Sequence, residues 1–123
     1  MFRFMKSTWI THKEKKIFYA DYSDFEKDFK RLKAEVDYAN AIMLMEPKDS
    51  LLLLVNVNGT VGTSEITFYL KDSAIKVKKH VRKAAVIGVG GVRLALLRSV
   101  TYLSGMDVVP FDDIEKAKDW LVS

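Results

Sequence analysis

Two uninterrupted apolar runs, Leu51 to Val55 and Ala84 to Val89, each lead into a glycine-bearing turn and then into a stretch with helical spacing. Apolarity that does not alternate marks strands covered on both faces, and such strands pair in parallel with helices as their crossovers. Ahead of them, Trp9-Ile10-Thr11 and Ile17-Phe18-Tyr19-Ala20 are β-prone runs separated by His12 to Lys16, which predicts an antiparallel hairpin with His12 in its turn. Ser23 with Glu26 forms a capping box, after which Phe25, Phe29, Leu32, Val36 and Met43 recur on one helical face. Glu46-Pro47-Lys48-Asp49 predicts a turn, and Leu51 to Val57 a central strand.

Beyond Asn58-Gly59, Thr63 or Ser64 caps a second helix whose core stripe is Ile66, Leu70, Ala74, Val77 and Val81. Gly90-Gly91 opens a third helix over Val92 to Leu103, which Ser104-Gly105 closes. Val108 to Phe111 reads as a short strand that Pro110 confines to an edge or strand end. Asp112 and Glu115 cap and charge a final helix ending at Trp120-Leu121. The prediction is one α/β domain over residues 1–123, in the order ββαβαβαβα, with a single mixed, mostly parallel five-stranded sheet flanked by four helices.

Composition narrows the classes of function. A chain of 123 residues holds a single core, and its 49% apolar and 29% charged residues are those of a globular protein. The absence of cysteine excludes disulfides, thiolate nucleophiles, zinc ribbons and iron–sulfur clusters. No apolar run approaches the roughly 20 residues of a membrane-spanning helix. Met1 to Lys13 lacks the apolar stretch of a signal peptide, so a cytoplasmic protein is expected. The net charge of +4 is gathered locally: from Lys71 to Arg98 there are eight basic residues against one acid, Asp72.

In open α/β sheets ligands sit beyond the carboxyl ends of the strands, which directs attention to Asn56 to Ser64 and to Gly88 to Arg93. Gly88, Gly90, Gly91 and Arg93 lie between a strand and a helix, where backbone N–H groups can hold an anion. Arg93 stands where a dinucleotide fingerprint needs glycine, and no acidic partner follows, so no nicotinamide cofactor is expected. Asp21, Ser23, Asn56, Asn58, Gly59, Thr60, Thr63 and Ser64 should gather at the same rim, as binders of a polar ligand head or as helix caps and turn formers. No activating base accompanies the hydroxyls, and His12 and His80 are far apart, so neither catalytic residues nor a metal site is expected.

The second helix carries a further signal. Phe68 and Ile75 fall opposite its core stripe and are flanked by Lys71, Lys78, Lys79 and Arg82. Such a face suits an anionic membrane surface, a protein partner or a second copy of the chain; equally, soluble proteins carry single surface apolar residues among solvated lysines. Leu94 and Leu97 repeat the pattern on the third helix.

Several stretches together resemble the SpoIIAA-like branch of the STAS proteins. They are Trp9 with its basic hairpin, Asp21-Tyr22-Ser23, Asn56-Val57-Asn58-Gly59, Lys83-Ala84-Ala85-Val86-Ile87-Gly88-Val89 with Gly91, and Phe111 followed by Ala117 and Trp120-Leu121. The resemblance implies a mixed sheet flanked by helices and a non-enzymatic role: signalling by protein contact, or binding of a small apolar or lipid-like ligand as in the topologically similar CRAL-TRIO carriers. It also implies a phosphoacceptor at Thr63 or Ser64, although the acidic residue usual before that position is replaced by Gly62 or Thr63, and Asn56 stands where aspartate is common. The functional expectation is therefore a binding or regulatory module. A phosphorylation-controlled switch and a small enzyme using Asp21 are the alternatives. Nucleic-acid binding through Lys71 to Arg93 is disfavoured by the lack of stacking aromatics on the strands.

Overall fold

The computed structural model describes residues 4–90, 97–98, 101 and 104–123. Most of the expected helix from Val92 to Leu103 lies outside the described residues, as do Gly91, Arg93 and Leu94. The described elements are β1 (Thr8–His12), β2 (Lys15–Asp21), α1 (Phe29–Met43), β3 (Leu51–Asn56), α2 (Ser64–Val77), β4 (Val81–Ile87), β5 (Val108–Phe111) and α3 (Ile114–Val122). The strands form one mixed five-stranded sheet in the order β1-β2-β3-β4-β5. Only β1 and β2 are antiparallel; the remaining neighbours are parallel, and β5 with Pro110 is an edge strand as expected.

Alternation along the strands divides the apolar residues between two layers. Phe18, Ala20, Leu51, Leu53, Ala84 and Val86 face α1 and α2, whereas Ile17, Leu54 and Ala85 face Ala117 and Leu121 of α3. The continuous runs of β3 and β4 are thus covered on both sides, and the nine-residue α3 lies across all five strands. Steps that always move to the next strand in the same direction, with right-handed crossovers, bring their helices to one face. Accordingly α1 and α2 pack side by side, joined by the buried hydrogen bond from Ser73 Oγ to Asn40 Oδ1 at 2.6 Å and by edge contact of Phe29 with Tyr69.

Tertiary pairing moves several expected boundaries. The capping box of Ser23 and Glu26 does not form: Asp24 and Glu26 donate their N–H groups to Asn58 O and Gly59 O, continuing the contact of β2 with β3. Helix α1 starts instead after Asp28, whose carboxylate accepts from Arg31 N–H, and Phe25 is a buried loop residue. The second helix ends at Val77, because Val81 is taken up as the first residue of β4, which ends at Ile87 rather than Val89. Asp113, not Asp112, caps α3 by accepting from Glu115 N–H. His12 is the last residue of β1, opposite Lys15; the turn is Lys13-Glu14, both at positive φ (49° and 69°), as a tight two-residue hairpin requires.

Cations of the hairpin and of β4 hold α3 in place. Lys83 Nζ donates to Trp120 O and Ser123 O, and Lys15 Nζ to Val122 O, which satisfies carbonyls at the negative end of the helix. His12 Nε2 lies 2.7 Å and Lys13 Nζ 3.0 Å from Asp119 Oδ1, and the hydrogen bond from His12, with that from Lys13, holds this carboxyl below its ordinary range. A depressed folded value means stability that is complete above the unfolded value of about 4 and is lost as pH falls through the folded one. Acidification from about pH 5 to about pH 3 should therefore lower the urea midpoint more in the wild type than in Asp119→Asn. Equal losses would show that this contact does not contribute.

Candidate functional site

Between α2 and the sheet lies an apolar cavity of about 130 Å³. Its wall on the sheet side is built from Leu53, Val55, Val57 and Val86, and its roof from Ile66, Leu70, Ala74 and Val77 of α2. Met43, Leu97 and Met106 complete it. The void has a packing origin: where α2 crosses the sheet it presents Ser73 and Ala74, and the strands opposite offer mainly valines, so the side chains do not fill the gap between the two layers. Apolar voids of roughly 150 Å³ stay dry and admit guests the size of benzene.

None of the described lining residues is charged. Two of the lining hydroxyls are already engaged, Ser73 Oγ with Asn40 Oδ1 and Thr60 Oγ1 by donating to Tyr22 O while accepting from Phe25 N–H. Tyr22 differs. It is 4% exposed, and its hydroxyl oxygen is buried without a hydrogen-bond partner. Burial, with the negative charges of Glu35 and Asp37 adding to it, pushes the phenol well above the usual tyrosine range, so the group stays a protonated donor.

The polar residues expected at the strand ends do come together, and they stitch the ends of β2, β3 and β4 to one another. Asp21 accepts from Ser23 N–H and Oγ and pairs with Lys6 Nζ at 3.6 Å, while Lys6 Nζ also donates to Ser23 O. Asn56 Nδ2 donates to Tyr19 OH, and its Oδ1 accepts from Asn58 N–H. Gly59 sits against Asp24, and Gly88 against the backbone of Asn58. Gly90 is open to solvent. Thr63 caps α2 by accepting from Ile66 N–H, whereas Ser64 is exposed on its first turn. Gly91 and Arg93 lie outside the described residues.

Asp21 and Asn56 belong to the α3 side of the sheet, because they continue the alternation of Ile17, Tyr19 and Leu54. The cavity is on the other side. Among the predicted ligand-binding residues that are described, Thr60 alone reaches its wall. The strand-end crevice of doubly wound sheets depends on a reversal of strand order, and the order here does not reverse. The apolar stripe of α2 supplied part of the cavity, but Tyr22, Ser73 and Val57 carry no sequence signal beyond the smallness of Ser73 and Ala74 amid larger neighbours.

On the outer side of α2, Phe68 is 60% and Ile75 44% exposed. Lys71 Nζ lies 3.8 Å from the Phe68 ring centroid, a cation–π contact that partly covers the ring, and Lys78 Nζ donates to Ser104 O at 3.4 Å. Lys79 and Arg82 are exposed. His80 Nδ1 contacts Glu46 O at 2.7 Å, which fixes the turn before β4. Among the described residues no group of three or more His, Asp or Glu side chains converges in a metal-binding arrangement, and no helix is long and apolar enough to cross a membrane.

The fold and cavity thus define an α/β protein with one mixed sheet and, on its two-helix face, a pocket whose described lining residues are uncharged. No protein-family model, curated protein or solved structure matches the chain.

Two substitutions test the local geometry. Thr63→Ala should cost about 1 kcal/mol through loss of the helix cap, and Ser64→Ala close to none, as read from urea unfolding. Gly88 has φ +87°, and an added Cβ would overlap Asn58, with its Cα only 2.7 Å away. Gly88→Ala should therefore destabilise by about 1–3 kcal/mol. A neutral effect would show that the strand ends are not pressed together there.

Proposed function

We propose that the protein is a non-enzymatic binding or regulatory module of STAS-like type, in which the cavity beneath α2 receives a small apolar or lipid-like group. The observation that carries this reading is the apolar lining, uncharged among the described residues. General acid–base or nucleophilic chemistry is usually built around an activated group, and the described wall carries no carboxylate, imidazole or amine, while its one unusual hydroxyl, Tyr22, is held protonated. The volume of about 130 Å³ suits a benzene-sized ring or the end of a short acyl chain rather than a whole lipid.

The outer face of α2, with Phe68 and Ile75 among lysines, is the surface through which such a module would meet an anionic membrane, a protein partner or a second copy in the cytoplasm. Because α2 is both the roof of the cavity and the bearer of that face, an occupant that adjusts α2 would alter the outer contact. A phosphorylation-controlled variant is supported at Ser64 rather than Thr63. Ser64 is exposed on the first turn of α2, where a phosphate meets free N–H groups and the positive helix end.

The cavity reading is tested with benzene as probe, by thermal shift and by NMR titration of the full chain. Wild type is expected to bind it and to melt higher in its presence. Ala74→Leu, which fills the void from the helix side, should weaken binding about tenfold or more while retaining the fold, since the added methylenes occupy existing space. Failure of the wild type to respond, or unchanged binding in the filled variant, would refute the assignment.

A further inference from the structure

The two edges of the sheet differ in how they are protected. β5 carries Pro110, which removes a donor from that strand, whereas β1 reads Thr8-Trp9-Ile10-Thr11-His12, with no proline, no lysine and no bulge in its pairing with β2. Native edges are usually blunted by such devices, and β1 instead keeps β-branched and aromatic residues that favour pairing. The hairpin fixes which of its groups are spare. His12 and Lys15 flank the two-residue turn and so exchange hydrogen bonds, and alternation makes Ile10 with Ile17 and Thr8 with Tyr19 the next bonded pairs. Odd-numbered residues of β2 therefore face β1, in keeping with Asp21 N–H donating to Ser7 Oγ while Tyr22 N–H donates to Asn56 O. The N–H and C=O groups of Trp9 and Thr11 are left pointing out of the sheet, and no described residue takes them. Ser7, next in that outward row, is not spare, since its N–H donates to Glu35 Oε2 at 2.9 Å.

We infer that this edge receives an extended, acidic segment of a partner protein, which adds a strand antiparallel to β1 through the backbone of Trp9 and Thr11. The surface is separate from the cavity, to which no residue of β1 contributes. Charge selects the occupant. The turn beside the edge holds Lys13, Lys15 and Lys16 against the single acid Glu14, all of them exposed, and the whole chain carries a net charge of +4. A second copy would bring further positive charge to that place. A segment with acidic residues at its amino end sets them beside these lysines when it runs antiparallel, the orientation that is also slightly the more stable per residue. Lys16 Nζ lies 4.6 Å from the Trp9 ring centroid, so one of these cations is already held over the edge strand. Trp9 and Ile10, both half-buried and on opposite faces, offer contact to alternate side chains of the incoming strand, while the spare backbone groups supply its hydrogen bonds.

The probe is the peptide acetyl-Glu-Glu-Val-Thr-Val-Thr-amide, titrated at low salt into the full chain and followed by amide NMR. With its first valine opposite Thr11 and its second opposite Trp9, it should shift the amides of those two residues most. Methylating the backbone nitrogens of both valines removes two donors and should weaken binding about tenfold, the effect of two neutral hydrogen bonds. Lysine in place of both glutamates should weaken it about fivefold, a difference that closes in high salt. Thr11→Pro removes an outward donor without breaking a bond to β2, so it should keep the fold and lose the peptide. Should that variant not fold, the methylated peptide on wild type decides. Equal binding of the methylated peptide, equal binding of the lysine peptide at low salt, or no binding of the acidic peptide at millimolar concentration would overturn the proposal. Dimerisation of the wild type that Thr11→Pro abolishes would overturn it too, by giving the edge to a second copy.

Discussion

The parallel pairing of β3 with β4, covered on both faces, is the constraint on which the other features rest. Leu51 to Asn56 and Val81 to Ile87 are joined along their length, and each sends alternate side chains into two separate apolar layers. Parallel neighbours require long crossovers, and crossovers of one hand between successive strands fall on one face. Helices α1 and α2 therefore share a side. The opposite side is left to α3, a nine-residue helix whose position is fixed by Lys15, Lys83, His12 and Lys13 acting on its last turns.

This asymmetry explains where the cavity is. On the α3 side a single helix closes over Leu54, Ala85 and Ile17, with Phe111 and Trp120 in ring contact at 5.6 Å along its border. On the other side two helices must fit each other as well as the sheet. They meet through a buried polar bond, Ser73 to Asn40, which turns a small residue of α2 toward α1, and with Ala74 beside it the helix does not fill the space over the valines opposite. The gap is thus a consequence of how α2 is divided between two neighbours. That helix also displays Phe68 and Ile75 outward, so whatever fills the gap acts on the element that carries the exposed apolar face.

The carboxyl-end rim has a different character. Its serine, asparagine, threonine and acidic residues are linked to one another and to the backbone, and the close fit of Gly88 against Asn58 and of Gly59 against Asp24 locks the strand ends in register. The rim determines the positions of Tyr22 and Thr60, which pass through to the cavity side. Thr60 is the joint: its hydroxyl holds the backbone of Tyr22 and of Phe25, so the loop after β2 and the wall of the cavity are set by one side chain.

The unbroken apolar runs, the edge-confining Pro110 and the stripe of α2 determined, from sequence alone, an α/β class with one mixed sheet and buried parallel strands, because hydrophobic periodicity is a local property of the chain. Local signals also narrowed the cap of α2 to Thr63 or Ser64, of which the structure uses Thr63, and put Phe68 and Ile75 on an outer face. Tertiary structure decided the rest. Ser23 and Glu26 gave up a capping box because pairing with the end of β3 satisfied more backbone groups, and Val81 left the helix for β4. The cavity and the unpartnered Tyr22 hydroxyl were not legible beforehand, since a void is a shortfall of volume summed over side chains from separate elements, and a missing partner exists only once every neighbour has taken its place.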